Sequence, residues 1–254
     1  MKTLTINLSC PRSRSYRAAR VRSLFNVTAD NGATFTATCQ LPTDETDWHV
    51  GLVVGPSGSG KSSIGKAAWD GRAYHRGFRW SSGPVIDDIA PAADFDAVTG
   101  ALSAVGLGTV PSWLRPYKAL STGEKFRADL ARLLLSGRKR LVVDEFTSVV
   151  DRQVARIGAA AFAKAWRRHD RGQVILLSCH RDIVPWACPD WILDTEDWSF
   201  QRRCLQRRPP IKIDMPPIRQ VGATFKKAKR VQKKDKQFEF PTSGNTPADP
   251  AQDP

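Results

Sequence analysis

The most informative stretch of the chain runs from Gly55 to Ser62 and satisfies the glycine-rich P-loop pattern. An apolar run, Val50 to Val54, precedes it, and the residues after it favour a helix. Such a loop turns successive backbone N–H groups inward as an anion-binding nest, next to the positive end of the helix dipole. Lys61 can then reach the β- and γ-phosphates of a nucleotide, and the Ser62 hydroxyl can bind Mg²⁺. The predicted nucleotide-contacting residues are Gly55, Pro56, Ser57, Gly58, Ser59, Gly60, Lys61, Ser62 and Ser63.

A second acidic motif follows the apolar run Leu141 to Val143, where Asp144 and Glu145 stand together. At the end of a buried strand, Asp144 can hold Mg²⁺ through water and Glu145 can polarise an attacking water. Taken alone, the acidic pair could also be a solvated turn. Together with the P-loop, it predicts a site for phosphoryl transfer to water.

A third segment, Ser121 to Glu124, opens a predicted helix. Ser121 as N-cap with Glu124 three residues later forms a capping box, which explains the local pattern without any function. Its position, with Gly123 standing 21 residues before Asp144, is what favours a functional interpretation.

The order of the elements predicts an α/β fold of the P-loop NTPase type. Strand-like runs at 50–54, 141–143 and 174–178 alternate with helical patterns, which indicates a mostly parallel sheet with helices on both faces. Before them, β-branched residues around the Asn31-Gly32 turn predict an N-terminal antiparallel hairpin, with no confident helix in the first 22 residues. A helical insertion is expected at about 84–135.

Composition and charge restrict the class of protein. The 254 residues are 41% hydrophobic and 25% charged, and no apolar run approaches the ~18 residues needed to span a bilayer. No signal peptide is recognisable, and the five scattered cysteines form no CxxC pair, so we expect a soluble cytoplasmic protein with reduced thiols.

The net charge of +14 is concentrated near the C-terminus, where residues 201–254 hold 13 Lys and Arg against 5 Asp and Glu. We expect a domain boundary at 208, with 209–254 a basic, Pro-containing tail without a core of its own. The tail either is a solvated end or binds nucleic acid phosphates without sequence preference. Its basic residues are Lys226, Lys227, Lys229, Arg230, Lys233, Lys234 and Lys236.

Five motifs in this order resemble an ATP-binding cassette (ABC) ATPase. They are the P-loop (Walker A), the signature segment Ser121–Glu124, the Asp144-Glu145 strand end (Walker B), the D-loop at Asp151, and the H-switch at His180. The resemblance covers roughly residues 20–200 and implies the cassette fold with Mg²⁺ and ATP.

More narrowly, three phrases resemble the ATPase half of bacterial and phage proteins in which a cassette ATPase is fused to a predicted GNAT-type acetyltransferase. They are Trp113 to Pro116, Val143 to Arg152 and Arg207 to Ile211. Too little chain follows Phe225 for the acetyltransferase, so we expect a stand-alone ATPase.

The resemblance also implies a head-to-tail homodimer in which each ATP lies between one copy's P-loop and the other's signature segment. Ser121, Thr122, Gly123 and Glu124 would then meet the γ-phosphate in trans, Asp151 would lie at the dimer seam, and His180 would contact the γ-phosphate. Lys61, Glu145 and His180 are the implied catalytic residues, and Ser62 and Asp144 the implied Mg²⁺ ligands. Thr122 replaces the usual first glycine of the signature, and Glu124 its common glutamine.

Two family positions are not filled in the usual way. No glutamine occurs between Lys61 and Leu120, so the family's Q-loop ligand is missing, and either Ser81, Ser82 or water would replace it. The aromatic that stacks on adenine would be Phe25, with Tyr16 as the second candidate.

The sequence therefore predicts a soluble ABC-type ATPase that binds Mg·ATP, dimerises and hydrolyses ATP to drive a conformational cycle. One alternative is the nucleotide-binding subunit of a membrane transporter, although the missing glutamine makes a membrane partner the weaker expectation. The other is an ATP-gated nucleic-acid-binding module that uses the basic tail.

Overall fold

A computed structural model describes residues 1–10, 13–27, 33–168 and 171–203. The predicted boundary at 208, the basic tail and the Asn31-Gly32 turn lie outside these residues. Within them, no helix is long and apolar enough to cross a bilayer.

The centre of the fold is a five-stranded sheet with the order β4-β5-β3-β6-β7. Four strands are parallel, and only β7 runs antiparallel to its neighbour. The strands are β3 (Val50–Val54), β4 (Arg140–Val143), β5 (Gln173–Ser178), β6 (Trp191–Asp194) and β7 (Phe200–Arg202). The predicted α/β class with a mostly parallel sheet is thus confirmed, and β6 and β7 are additions to the predicted strands.

Helices cover both faces of this sheet. They are α2 (Lys61–Ala67), α3 (Val85–Asp88), α4 (Phe95–Ala104), α5 (Val110–Trp113), α6 (Thr122–Leu135), α7 (Arg152–Arg168) and α8 (Val184–Ala187), with 3₁₀ turns at 68–71, 117–119 and 181–183. Helices α3 to α6 form the expected helical insertion between β3 and β4.

Successive strand residues bury their side chains in two different cores, because neighbouring Cβ atoms point to opposite faces of a sheet. Leu141 and Val143 pack with the helical insertion, α7 and α8. Val142 packs on the other face, with α2 and the N-terminal antiparallel strands. Gly65 lets α2 approach this second face, since a Cβ there would lie 2.6 Å from Leu177 Cδ1. Burial on both faces explains why these strands are continuous apolar runs.

The N-terminal antiparallel region is present, but its strands differ from those predicted. β1 (Lys2–Cys10) pairs with β2 (Ala33–Leu41). Between them lies helix α1 (Tyr16–Leu24), where the sequence predicted the first strand of a hairpin and, before it, no confident helix. The Ser15 hydroxyl caps α1 by accepting from the Ala18 N–H at 3.2 Å. No residue of α1 is buried, so local capping rather than an amphipathic pattern marks this helix, which is why hydrophobic periodicity missed it.

Candidate functional site

The candidate site lies where three neighbouring parallel strands end. The P-loop follows β3, Asp144 follows β4 and His180 lies two residues after β5. The carboxyl ends of parallel strands meet at one edge of the sheet, where ligands of open α/β folds bind. The topology therefore brings the P-loop, Asp144 and His180 to the same edge of the sheet.

The P-loop encloses a cavity of about 250 Å³. Glu145 and Cys179 line it together with the loop, so the acidic strand end and the P-loop share one space. The remaining lining residues are Leu8, Ser57, Gly58, Gly60, Lys61, Ser62 and Ser63.

The loop's shape depends on positive φ angles and on a brace from β6. Gly55 has a φ of 148° and Gly60, the N-cap of α2, a φ of 91°. Thr195, buried just after β6, donates its hydroxyl to the Val54 carbonyl at 3.1 Å and shares a hydrogen bond with the Ser59 hydroxyl. Sequence reasoning did not single out Thr195, because nothing local marks a threonine that braces a distant loop.

The Lys61 side chain points back into the loop. Its Nζ donates to the carbonyls of Gly55 and Pro56, at 3.0 Å and 2.6 Å. The lysine is nearly buried, at 8% exposure, so its charge is held where phosphate oxygens would lie in a P-loop.

The two acidic residues after β4 face different surroundings. Asp144 is half-buried, and its Oδ1 accepts from the Glu145 N–H at 2.8 Å. Glu145 is exposed and has a φ of 50°, a conformation that costs a non-glycine residue energy and is concentrated at functional sites. Its side chain lines both the P-loop cavity and a second cavity of about 620 Å³, which Asp144, Tyr74 and Thr147 also line.

Tyr74 is a polar neighbour of Asp144 that the sequence motifs did not mark. Its hydroxyl donates to Asp144 Oδ2. Burial, aided by the bond to the Asp144 carboxylate, raises the pKa of Tyr74 to about 12, so the phenol keeps its proton at neutral pH.

Ser62 and Asp144 fit a magnesium site as a hydroxyl and a carboxylate. Oxygen ligands of this kind, supplemented by substrate phosphates and water, are what Mg²⁺ prefers. Over the part of the chain that the structure describes, no group of three or more His, Cys, Asp and Glu side chains could hold a metal.

The signature segment is a closed capping box at the start of α6. The Ser121 hydroxyl accepts from the Glu124 N–H at 3.3 Å, and Glu124 Oε2 accepts from the Ser121 N–H at 2.9 Å. Glu124 Oε1 also accepts from the Ser112 hydroxyl at 2.5 Å, and these bonds, that from Ser112 first, lower the pKa of Glu124. Ser121 and Thr122 are exposed, and none of the four residues Ser121 to Glu124 lines the P-loop cavity.

Asp151 and His180 have local partners in the chain. Asp151 lies just before α7, where its Oδ1 accepts from the Val154 N–H at 2.9 Å. His180 is half-buried, and its N–H donates to the Ser178 hydroxyl at 3.1 Å, while its neighbour Cys179 lines the P-loop cavity.

An aromatic ring that was not predicted, that of Phe35, lies beside Gly60 of the P-loop. Phe25 is 73% exposed at the end of α1, and Tyr16 is 77% exposed. The Phe35 ring, by contrast, would lie 3.3 Å from a Cβ on Gly60 and packs at 6.1 Å between centroids against Trp198. Strand alternation could have found it, because Phe35 has the same parity in β2 as the buried Ala37 and Cys39.

The segment around Trp80 to Ser82, where a Q-loop was expected, is hydrogen-bonded to α6. Trp80 stacks on Tyr117 at 4.6 Å, and both rings donate hydrogen bonds to Asp129, at 2.9 Å and 2.7 Å. Ser81 accepts from the Gly83 N–H within its own turn, and neither Ser81 nor Ser82 lines the two cavities.

Comparison with known proteins shows that the chain is similar to members of one family. A scan against models of protein families finds no match. The cytochrome c biogenesis ATP-binding export protein CcmA of Pseudomonas aeruginosa is 36% identical over 90 residues, which are 35% of this chain and 41% of that protein. The CcmA of Rhodospirillum rubrum is 31% identical over 165 residues, which span 52% of this chain and 69% of that protein.

A solved structure shares the fold. It is a dimeric ATP-binding cassette in a post-hydrolysis state bound to ADP and Pi, with a TM-score of 0.51 and 13% identity, covering 67% of this chain and 92% of that one. The narrower likeness to acetyltransferase-fused ATPases stays a prediction. The extent of the match to CcmA, together with the cassette fold and the motifs in their order, shows that this chain belongs to the ATP-binding cassette family.

Proposed function

We propose that this protein hydrolyses ATP to ADP and phosphate at the P-loop site. The observation that carries the proposal is the shared cavity, which Lys61, Ser62 and Glu145 line together. These residue types bind the phosphates of a nucleotide and activate water in P-loop enzymes. Glu145 is the proposed general base. It takes a proton from water as that water's oxygen bonds to the terminal phosphorus and the bond to the bridging oxygen of ADP breaks.

The chain supplies the charge stabilisation from groups already in place. Lys61 and the P-loop N–H groups face the phosphate oxygens on which negative charge is concentrated. Ser62 and Asp144 would hold Mg²⁺, which would supply further charge neutralisation of the phosphates. Phe35, beside Gly60, is the proposed platform for the adenine ring in place of Phe25.

We further propose that two copies close head to tail on ATP. The exposure of Ser121 and Thr122, away from the P-loop cavity of their own chain, supports this arrangement. Ser121 to Glu124 would complete the site of a second copy, with Asp151 at the seam and His180 near the γ-phosphate. ATP as substrate agrees with the cytoplasmic location expected from the sequence.

Phosphate release from ATP, measured with Mg²⁺ and with EDTA, tests the enzymatic proposal. We expect Mg²⁺-dependent release that Glu145→Gln reduces by about 10²–10³-fold, while binding of nucleotide persists. Asp197→Asn is a matched acidic control, since Asp197 lies in the turn before β7 and bonds only locally to Ser199. Release that is insensitive to Glu145→Gln would contradict the proposal.

The names of the relatives favour a second candidate function. CcmA is an ATP-binding export protein, so this chain could be the nucleotide-binding subunit of an exporter. Purification of the tagged chain from its native membrane fraction distinguishes the two. A multi-span protein recovered in equal amount supports the exporter subunit, and full recovery in the soluble fraction without one supports the stand-alone ATPase.

A further inference from the structure

A tyrosine holds one of the two predicted magnesium ligands, although it belongs to none of the sequence motifs. Tyr74 lies seventy residues before Asp144, and its hydroxyl donates to the Asp144 carboxylate. The question is whether this contact is incidental packing or sets the geometry of the cation site.

Backbone pairing fixes the place of Tyr74. The Val142 N–H donates to the Ala73 carbonyl and the His75 N–H donates to the Val142 carbonyl, both at 2.8 Å, so residues 73–75 run parallel to the edge strand β4. Asp144 follows two residues after Val142. The tyrosine and the carboxylate therefore leave adjacent backbones at the same end of the sheet, which makes their contact a consequence of the register.

The direction of the hydrogen bonds follows from the chemistry of the groups. The Asp144 carboxylate only accepts, so the Tyr74 hydroxyl donates to it. The other carboxylate oxygen, Oδ1, accepts from the Glu145 N–H at 2.8 Å. Both Asp144 oxygens are thereby held in place, and each keeps a further lone pair for a cation.

We propose that Tyr74 is a positioning residue for the divalent cation that accompanies the nucleotide. Its hydroxyl fixes the Asp144 carboxylate, whose other oxygen accepts from the Glu145 N–H. The inference rests on the proposed function, since it concerns the cation of the same site. The chain has neither glutamine nor asparagine between Lys61 and Leu120, so no amide side chain of that segment can position the cation.

The structure offers a matched control for this tyrosine. Tyr117 also donates its hydroxyl to an aspartate, Asp129, at 2.7 Å, and is also half-buried beside a lysine. Lys66 lies 5.6 Å from the centroid of the Tyr74 ring, and Lys125 lies 6.0 Å from that of Tyr117. Tyr74→Phe and Tyr117→Phe thus remove the same kind of hydrogen bond, but only Tyr74→Phe removes it from a predicted cation ligand, Asp144.

Binding of a fluorescent ADP analogue, mant-ADP, in Mg²⁺ and in EDTA tests the proposal without relying on catalysis. For Tyr74→Phe we expect affinity in EDTA within about twofold of wild type and affinity in Mg²⁺ weakened about tenfold, because a hydrogen bond to a charged group is lost at the ligands. Tyr117→Phe should change neither affinity. Melting temperatures of both variants check that the fold is kept.

The possible outcomes separate the two proposals. Wild-type protein that binds no mant-ADP in either buffer overturns the proposed function, and this inference with it. Wild-type protein that binds more tightly with Mg²⁺, with Tyr74→Phe showing the same gain, overturns the role of Tyr74 alone, as does equal weakening in both buffers. The double variant Asp144→Asn with Tyr74→Phe gives a second check, since the two effects in Mg²⁺ should be clearly less than additive if the tyrosine acts through Asp144.

Discussion

The P-loop, residues 55–62, and the signature segment, residues 121–124, both contain glycine, but the local structure requires glycine only in the first of these two segments. A Cβ at Gly55 would lie 2.1 Å from the Thr195 hydroxyl oxygen, in a backbone conformation that L-residues rarely adopt. A Cβ at Gly123 would make ordinary contacts of 3.4 Å with the Val154 methyl groups. No neighbour among the described residues therefore excludes a methyl group at Gly123.

The difference agrees with the proposal that the P-loop is formed within one chain, whereas the signature segment acts on the site of a second copy. The P-loop is braced by Thr195 and already surrounds a cavity, whereas the polar groups of the signature segment bond to one another and to Ser112. We expect substitutions in the P-loop to act on the single chain, and substitutions in the signature segment to act on association.

The largest effect is expected for Lys61→Ala. Loss of the charge beside the phosphates should reduce ATP hydrolysis by about 10²–10³-fold, as measured by phosphate release. Lys164→Ala on the exposed face of α7 is the matched control and should leave the rate unchanged. Equal rates for Lys61→Ala and wild type would refute the P-loop assignment.

Gly55→Ala should abolish nucleotide binding and lower the free energy of unfolding by about 1–3 kcal/mol, because the strained backbone and the clash with Thr195 displace the loop. Gly100→Ala in α4, where a Cβ meets nothing within 4 Å, should instead stabilise by about 0.5–1 kcal/mol and leave binding intact. Urea unfolding and mant-ADP titration measure the two quantities. Normal binding by Gly55→Ala would show that the loop does not depend on this glycine.

Gly123→Ala should separate association from folding. Because the methyl group fits within the chain, we expect unchanged melting temperature and unchanged mant-ADP affinity. The ATP-dependent dimer of a Glu145→Gln background should nevertheless weaken about tenfold, since the methyl would meet the partner's phosphate. Sedimentation velocity across a concentration series measures the dimer, and undiminished association would remove the trans role of this glycine.

The smallest effect concerns the capping carboxylate. The folded-state pKa of Glu124 lies below the ordinary value of 4.5, so its contribution to stability is present above about pH 4.5 and is lost as pH falls through the folded-state pKa. Glu124→Gln should cost about 0.5–1 kcal/mol at pH 7, a modest amount because the group is partly exposed. In urea unfolding at pH 3 the difference from wild type should shrink, and a constant difference would contradict the charged capping box.

The sequence predicted those parts of the fold that depend on local signals. Long apolar runs marked β3, β4 and β5, and the P-loop residues stand at the predicted end of β3. What it could not predict depends on pairing between distant segments: the register that brings Tyr74 to Asp144, the brace from Thr195, and the approach of Phe35 to Gly60. Sequence analysis missed β6, which at four residues is as long as β4, and β7, whose three residues Phe200–Arg202 form no apolar run.

The most direct test of the account is the solution mass of the Glu145→Gln variant, measured by light scattering on a sizing column with and without Mg·ATP. This variant keeps the nucleotide site but should stall hydrolysis, so a closed dimer would accumulate. We predict a mass that doubles only with Mg·ATP. A variant that binds ATP tightly and keeps the mass of one chain would contradict the composite site and leave Ser121 to Glu124 as a helix cap.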